Sequence, residues 1–235
     1  GYNLQQISTG TLQVQTQPTT DTLLAALKKV EKAENGTFFI GKDGKATFRD
    51  RNFRLTNTTT PEATFGQGGS DLPYSDIKSS YDDTKIINTV LLTRSGGSQQ
   101  SAVSDDSVQR FGTHSRTETG LLNIQDSDVL SIADQKVVEN DIPQTSVDQL
   151  TFRPQVDTSL WPKALGLDIG AFVKTNVLTP SGTTESYDLF IENIRHDVDA
   201  RNNSWTWRIG LSPAETGAWI LGVSKLGIDT NISYT

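Results

Sequence analysis

The chain has 235 residues, of which 34% are hydrophobic and 21% charged, with a net charge of −7 and an isoelectric point near 4.8. An acidic surface repels phosphate, so we expect no sequence-specific binding of nucleic acid, and the lack of cysteine excludes disulfides and thiolate chemistry. No apolar run approaches the roughly eighteen residues of a membrane-spanning helix, so we expect no membrane span.

The N-terminal region predicts short strands followed by a helix. The chain begins at Gly1 and contains no methionine, so we expect residue 1 to be a processing site or the start of a domain within a longer protein. Sparse apolar residues from Leu4 to Val14 indicate one or two short strands. A helix over residues 20–35 follows, with an N-cap from Thr19-Thr20-Asp21 and an end at Asn35-Gly36, where glycine readily takes the left-handed conformation.

A β-hairpin over residues 37–49 follows this helix, because Asp43-Gly44 separates two short apolar runs. Helix and hairpin together predict a small α+β unit over residues 1–56. Residues 57–80 are rich in threonine, glycine and proline. Their apolar residues follow neither the spacing of a helix face nor the alternation of a strand, which predicts a loop or linker. Within it, Asn57–Ser75 is our candidate for contacting a neighbouring subunit, since long loops in compact proteins are usually functional or interfacial.

Residues 81–235 predict a second, β-rich region with a C-terminal tail. A helix over residues 127–140 has Val129, Ile132 and Val137 on one side and is stopped by Pro143. Strands are predicted at 82–94, 149–153, 171–178, 186–194 and 205–211. The predicted fold class is therefore β-rich α+β: a helix-plus-hairpin unit followed by an antiparallel β-barrel or sandwich with one flanking helix.

The two histidines are the first candidates for catalysis. His114 lies in a loop-like stretch, and His196 follows a predicted strand and precedes Asp197, which could orient it as a base. Neither lies in a zinc-protease motif, and no Gly-x-Ser-x-Gly nucleophile elbow is present. We therefore expect His196 to be a polar residue at the end of a strand.

Paired carboxylates leave glycoside hydrolysis open as an alternative, since two facing acids are what that reaction requires. The pairs are Asp82-Asp83, Asp105-Asp106, Asp126 with Asp128, and Asp197 with Asp199. We interpret them as surface groups or caps, and the EF-hand spacing for calcium is missing. The stretch Gly166–Gly170 lacks the Lys-Ser/Thr of a phosphate loop and predicts a turn into a strand. We assign no catalytic, cofactor-binding or metal-binding residue and predict that the chain is not an enzyme.

Trp205 and Trp207 alternate along a predicted strand and therefore face one side together. Two interpretations remain open: stacking on sugar rings at an exposed surface, or filling of a core or subunit interface.

Four stretches in order along the chain carry a family resemblance. They cover residues 24–51, 72–97, 106–116 and 167–230. The first has a helix ending in Ala33-Glu34-Asn35-Gly36 and then a hairpin with Asp43-Gly44. The third is similar to a hub-family Asp-Ser-Ile-x-x-Tyr-Gly-x-Arg segment, with Phe111 in place of the tyrosine. In this order and spacing, the sequence resembles minor tail proteins of long-tailed phages of actinobacteria and, more distantly, the hub proteins of contractile tails.

The resemblance implies a tail-tube-like β-barrel and a structural function at the phage tail tip, in the hub or baseplate. It implies a ring of identical subunits, commonly three, at the distal end of the tail tube. Expected partners are further copies of the chain and the distal tail, tape-measure and tail-tube proteins. The protein would be part of the virion, assembled in the host bacterial cytoplasm, and family members usually carry another domain upstream. The alternatives are a carbohydrate- or receptor-binding module of the tail tip and a cell-wall hydrolase domain.

Overall fold

A computed structural model describes residues 4–16, 21–69, 71–81, 85–143, 145–179 and 181–214. Three predicted features lie outside these residues. They are the C-terminal tail from residue 215, the start of the strand at Asp82-Asp83, and the first part of the helix cap at Thr19-Thr20. The described part is a β-rich α+β structure, which confirms the predicted fold class.

The chain forms two compact units that interleave along the sequence. Unit 1 comprises residues 1–52 and 81–144, and unit 2 comprises residues 53–80 and 145–235. The sequence predicted consecutive domains at 1–56 and 81–235 instead. Local hydrophobic patterns show which segments form strands, but they do not show which distant segments pair.

Unit 1 contains two three-stranded sheets and the longest helices among the described residues. Its elements are β1 (Gln5–Ile7), α1 (Leu23–Glu34), β2 (Thr37–Ile40), β3 (Ala46–Arg49), β6 (Thr89–Arg94), β7 (Gln99–Val103), α3 (Asp105–Phe111), β8 (Ser115–Leu121) and α4 (Asp126–Asn140). The strand orders are β1-β3-β2 and β7-β6-β8, with β1 parallel to β3 and β8 parallel to β6.

The predicted helix and hairpin of unit 1 are confirmed, with differences at both helix ends. Thr22 caps α1, its hydroxyl oxygen accepting from the Ala25 N–H at 3.3 Å. At the other end Asn35, not Gly36, takes the left-handed conformation, with φ of 55°. Gly36 is required for space instead, because a Cβ there would lie 2.5 Å from the carbonyl oxygen of Arg49.

Two buried polar side chains hold α1 in unit 1. The Glu34 carboxylate accepts the N–H groups of Thr11 and Leu12 at 2.8 and 3.0 Å and the Thr11 hydroxyl at 3.0 Å. The Asn123 side chain donates to the Ala33 carbonyl at 2.8 Å. Because buried polar groups are costly unless bonded, these contacts fix the end of α1 and the N-terminal segment together.

Helix α4 packs on β6 and β7 of unit 1, whereas the sequence predicted that the helix 127–140 flanks the barrel. The predicted apolar side of the helix is the buried one. The core cluster consists of Val90, Leu92, Ala102, Leu121, Val129, Ile132, Ala133 and Val137. The opposite side of α4 is consequently exposed, as expected for an amphipathic helix covering one sheet face.

Unit 2 is built on a six-stranded sheet of order β4-β10-β11-β12-β9-β5. Its elements are α2 (Phe53–Thr56), β4 (Ala63–Phe65), β5 (Tyr74–Tyr81), β9 (Thr145–Phe152), α5 (Trp161–Gly166), β10 (Phe172–Leu178), β11 (Thr184–Asp199) and β12 (Ser204–Pro213), with short 3-10 helices at Pro154–Val156 and Thr158–Leu160. Strands β9 to β12 pair antiparallel, and β4 is parallel to β10.

The predicted loop over residues 57–80 is wrong, because this segment supplies both edges of the sheet. Its residues Phe65 and Leu72 are buried in the unit 2 core and form an isolated parallel bridge. This bridge joins β4 to the segment leading into β5, so the sheet curls around its core. Strand β4 has only three residues, and β5 contains serine and charged residues with few apolar ones, which is why no hydrophobic period revealed them. Asn57–Ser75 is not a free loop.

Candidate functional site

The most concentrated group of aromatic side chains lies on β11 and β12 of unit 2. In the antiparallel ladder His196 is opposite Trp207, and Val198 is opposite Trp205. Residues directly opposite each other, and those two positions apart on one strand, share a sheet face. His196, Val198, Trp205 and Trp207 therefore occupy one face, as the alternation of the tryptophans predicted.

Trp207 belongs to the core of unit 2 and is only 2% exposed. Its ring meets Phe152 edge-on at a centroid distance of 6.2 Å, and Phe152 meets Phe65 in the same way at 5.9 Å. Among the described residues, its indole N–H finds no hydrogen-bond acceptor. A ligand at the surface cannot stack on this ring, so the sugar-stacking interpretation fails for Trp207.

Trp205 is half-buried and packs against Trp161, the first residue of α5, which is also half-buried; the ring centroids are 5.0 Å apart and the ring planes are tilted by 57°. Its indole N–H donates to Nδ1 of the exposed His196 at 3.2 Å. This bond requires an unprotonated Nδ1, so it fixes the imidazole tautomer. Among the described tryptophans, those that remain partly exposed are Trp161 and Trp205, and the alternation along the strand did not indicate Trp161. The turn signal of Trp161-Pro162 after the strand at 149–153 could have indicated a helix start there.

His196 and Asp197 do not form a catalytic pair. Adjacent residues of a strand point to opposite faces, and the Asp197 carboxylate accepts from Arg195 at 3.1 Å and also from Arg208. His196 bonds Trp205 instead. His114 likewise has a structural position, because its backbone N–H donates to the Asn88 side chain at 2.8 Å.

Asp82-Asp83 lies outside the described residues, and several of the other paired acids occupy positions where carboxylates stabilise local structure. Asp105 and Asp106 lie in the first turn of α3, where the helix dipole favours negative charge. Asp126 begins α4 and bonds Arg94 at 2.5 Å. Asp199 closes the β11–β12 turn, and the pKa of its carboxyl is lowered by hydrogen bonds from the Asn202 side chain, then from turn backbone N–H groups.

A further acid, Asp157, caps the 3-10 helix before α5. The Ser159 backbone N–H lowers the pKa of its carboxyl. Like Asp199, it accepts hydrogen bonds from its own turn.

Within the described ranges, no group of three or more histidine, aspartate or glutamate side chains could hold a metal ion. In the same part of the chain, no helix is long and apolar enough to cross a membrane. The Gly166–Gly170 stretch ends α5 and turns into β10, as predicted, with Gly170 at φ of 73°.

The fold is similar to solved structures of tail proteins. A crystal structure of the tail protein from Neisseria meningitidis MC58 has a TM-score of 0.51 and 13% sequence identity, covering 88% of this chain and 61% of that one. At this identity the likeness shows the fold alone. The prophage tail protein gp18 from Listeria monocytogenes EGD-e has a TM-score of 0.47 and 12% identity, covering 87% of this chain and 58% of that one.

This chain therefore spans less than two thirds of the length of either tail protein. No protein-family profile matches the sequence, and no curated protein matches it.

Proposed function

We propose that the chain is a structural component of a bacteriophage tail tip, forming part of a hub or baseplate ring at the distal end of the tail tube. The ring would contain identical copies, with three expected, and would contact the distal tail, tape-measure and tail-tube proteins. The protein would belong to the virion and assemble in the bacterial cytoplasm of an actinobacterial host.

The observation that carries this proposal is the β-rich fold, which is similar to that of the Neisseria tail protein. Two features of the chain support it. His196 bonds Trp205, and Asp197 bonds Arg195 and Arg208, contacts that fit a structural function for these side chains. The net charge of −7 would keep DNA from adsorbing as it passes through the tail.

The test is the location of the protein in particles of the phage that encodes it. An antibody against the chain should label one end of purified tails in electron micrographs, and deletion of its gene should give particles that lack a normal tail tip. Labelling of the whole tail length, or normal tips without the protein, would contradict the tip assignment.

A receptor-binding module is the second candidate, and Trp161 with Trp205 is the observation that favours it. Half-exposed indoles can stack on the apolar faces of sugar rings. Titration of the protein with soluble cell-wall polysaccharide of the host should then quench tryptophan fluorescence, and Trp161→Ala should abolish the change. Identical titration curves for both proteins would remove this candidate.

A further inference from the structure

Helix α1 leaves apolar side chains uncovered on the surface of unit 1. Leu23 is 77% exposed and Leu24 is 61% exposed, and Val30 lies one to two turns further along the helix. Only the C-terminal end of α1 is buried, at Ala33 and Glu34. A twelve-residue helix has little stability by itself, so an apolar face of this kind usually has a partner.

Helix α4 has a second uncovered face, opposite the side that packs on β6 and β7. Leu130, Asp134 and Val138 follow at spacings of four residues and therefore form one stripe. Val138 is 68% exposed, and Leu130 is also exposed. Asp134 lies between them and is exposed.

The two faces are complementary in charge as well as in polarity. Helix α1 contains three lysines and two glutamates, and one of the glutamates, Glu34, is buried. Helix α4 contains four acids and a single lysine. Lys28 is exposed and bonds Glu31 of its own helix at 2.5 Å, but α1 as a whole remains basic and α4 acidic. An apolar stripe with Lys28 beside it can therefore meet an apolar stripe with a central aspartate, and the opposite helix charges favour this orientation over the contact of either helix with its own copy.

We propose that α1 of one copy docks on α4 of a second copy, with Leu23 and Leu24 against Leu130 and Val138. The contact is heterologous, since different surfaces of the two copies meet, and such contacts generate rings when the rotation closes. The proposal deepens the proposed tail function and rests on it, because it supplies the contact between copies in a ring.

The experiment measures the mass of the full chain by light scattering over a range of concentrations. The wild-type mass should rise above the 25.7 kDa of one copy. Val138→Lys should weaken association at least about tenfold, because it places a charge in an apolar contact. The matched control is Leu178→Lys, which adds the same charge at an exposed apolar residue of unit 2 and should associate as the wild type does.

A charge exchange tests which surfaces meet. Lys28→Glu and Asp134→Lys should each associate less than the wild type, because each places like charges against each other at the contact. A double variant with both Lys28→Glu and Asp134→Lys should recover association, because every contact between its copies again pairs opposite charges, whatever the number of copies in the ring. Circular dichroism spectra of the variants should match the wild-type spectrum. A wild-type protein that stays monomeric, a Val138→Lys variant that associates normally, or a double variant without recovery would each overturn the proposal.

The docking of α1 on α4 and the proposed tail function can be refuted independently of each other. Tail tips that contain the protein while it remains monomeric would refute the docking of α1 on α4 and leave the function intact. Association through these helices, combined with absence of the protein from tail particles, would refute the function and leave the contact intact.

Discussion

Replacement of Glu34 by alanine should destabilise unit 1 selectively. Glu34 is 3% exposed, and its two carboxylate oxygens accept three hydrogen bonds from Thr11 and Leu12. A hydrogen bond to a charged group contributes about 1.5–3 kcal/mol. Thr11 is exposed, so its N–H and hydroxyl groups can bond water after the substitution. We therefore expect the free energy of unfolding to fall by about 2–4 kcal/mol, which is less than the sum of three separate hydrogen bonds.

The assay is urea denaturation followed by two signals. Unit 1 contains no tryptophan, whereas Trp161, Trp205 and Trp207 all lie in unit 2. Far-ultraviolet circular dichroism mainly reports α1 and α4 of unit 1, which are the longest helices described. The substitution should lower the midpoint of the dichroism transition and leave the midpoint of the fluorescence transition unchanged.

The matched control is Glu139→Ala on α4 of the same unit. This side chain accepts one hydrogen bond, from Gln135 one turn earlier at 2.7 Å, so its loss should cost about 0.5 kcal/mol or less. A loss below about 0.5 kcal/mol for Glu34→Ala as well would refute the role of the carboxylate as a clamp. Equal shifts of both transitions would refute the selective effect on unit 1.

Three further predictions concern close packing and charge. Gly36→Ala should lower the melting temperature of unit 1, measured by circular dichroism, because its Cβ would meet a backbone oxygen of β3. Gly210→Ala should destabilise unit 2, measured by tryptophan fluorescence, less than Gly36→Ala destabilises unit 1, because the new Cβ meets the end of the exposed Asn193 side chain, which can turn away; adding Asn193→Ala should recover the loss. Asp199 should titrate below its ordinary pKa of 3.8 in an NMR pH series, because Asn202 bonds its ionised form. Its contribution to stability is present above pH 3.8 and lost as the pH falls through the lowered pKa, and Asn202→Ala should return the titration toward 3.8.

The parts of the fold that the sequence predicted are those encoded by neighbouring residues. The α1 helix depends on a cap and on residues three to four positions apart, and the β2–β3 hairpin depends on Asp43-Gly44 between two apolar runs. The strands β10, β11 and β12 are similarly joined by short turns. Most of these bounds were predicted within three residues, but β11 continues five residues beyond its predicted end at 194, so His196 lies within the strand and does not follow it.

The parts that were not predicted depend on contacts between distant residues. Strand β4 has three residues and becomes a strand because it pairs with β10, more than a hundred residues later. Strand β8 is rich in threonine and charged residues and is fixed by its parallel pairing to β6. Parallel partners need a connection that leaves the sheet and returns, and no local pattern shows where it returns.

The burial of single side chains in the candidate site also depends on contacts between distant residues and could not be predicted from the local sequence. Alternation along β12 correctly placed Trp205 and Trp207 on one face of the sheet. It could not show that Trp207 is buried in the core while Trp205, on the same face, is partly exposed. Trp207 lies beside Phe152 in the core, whereas Trp205 lies near the end of the ladder and is covered only in part, by Trp161. The burial of a ring is decided by the segment that packs over it, here the helix α5, and that segment lies about forty residues earlier in the chain. Among the described tryptophans, stacking on sugar rings would therefore use Trp161 and Trp205, and a substitution at Trp207 would report on the stability of the core instead.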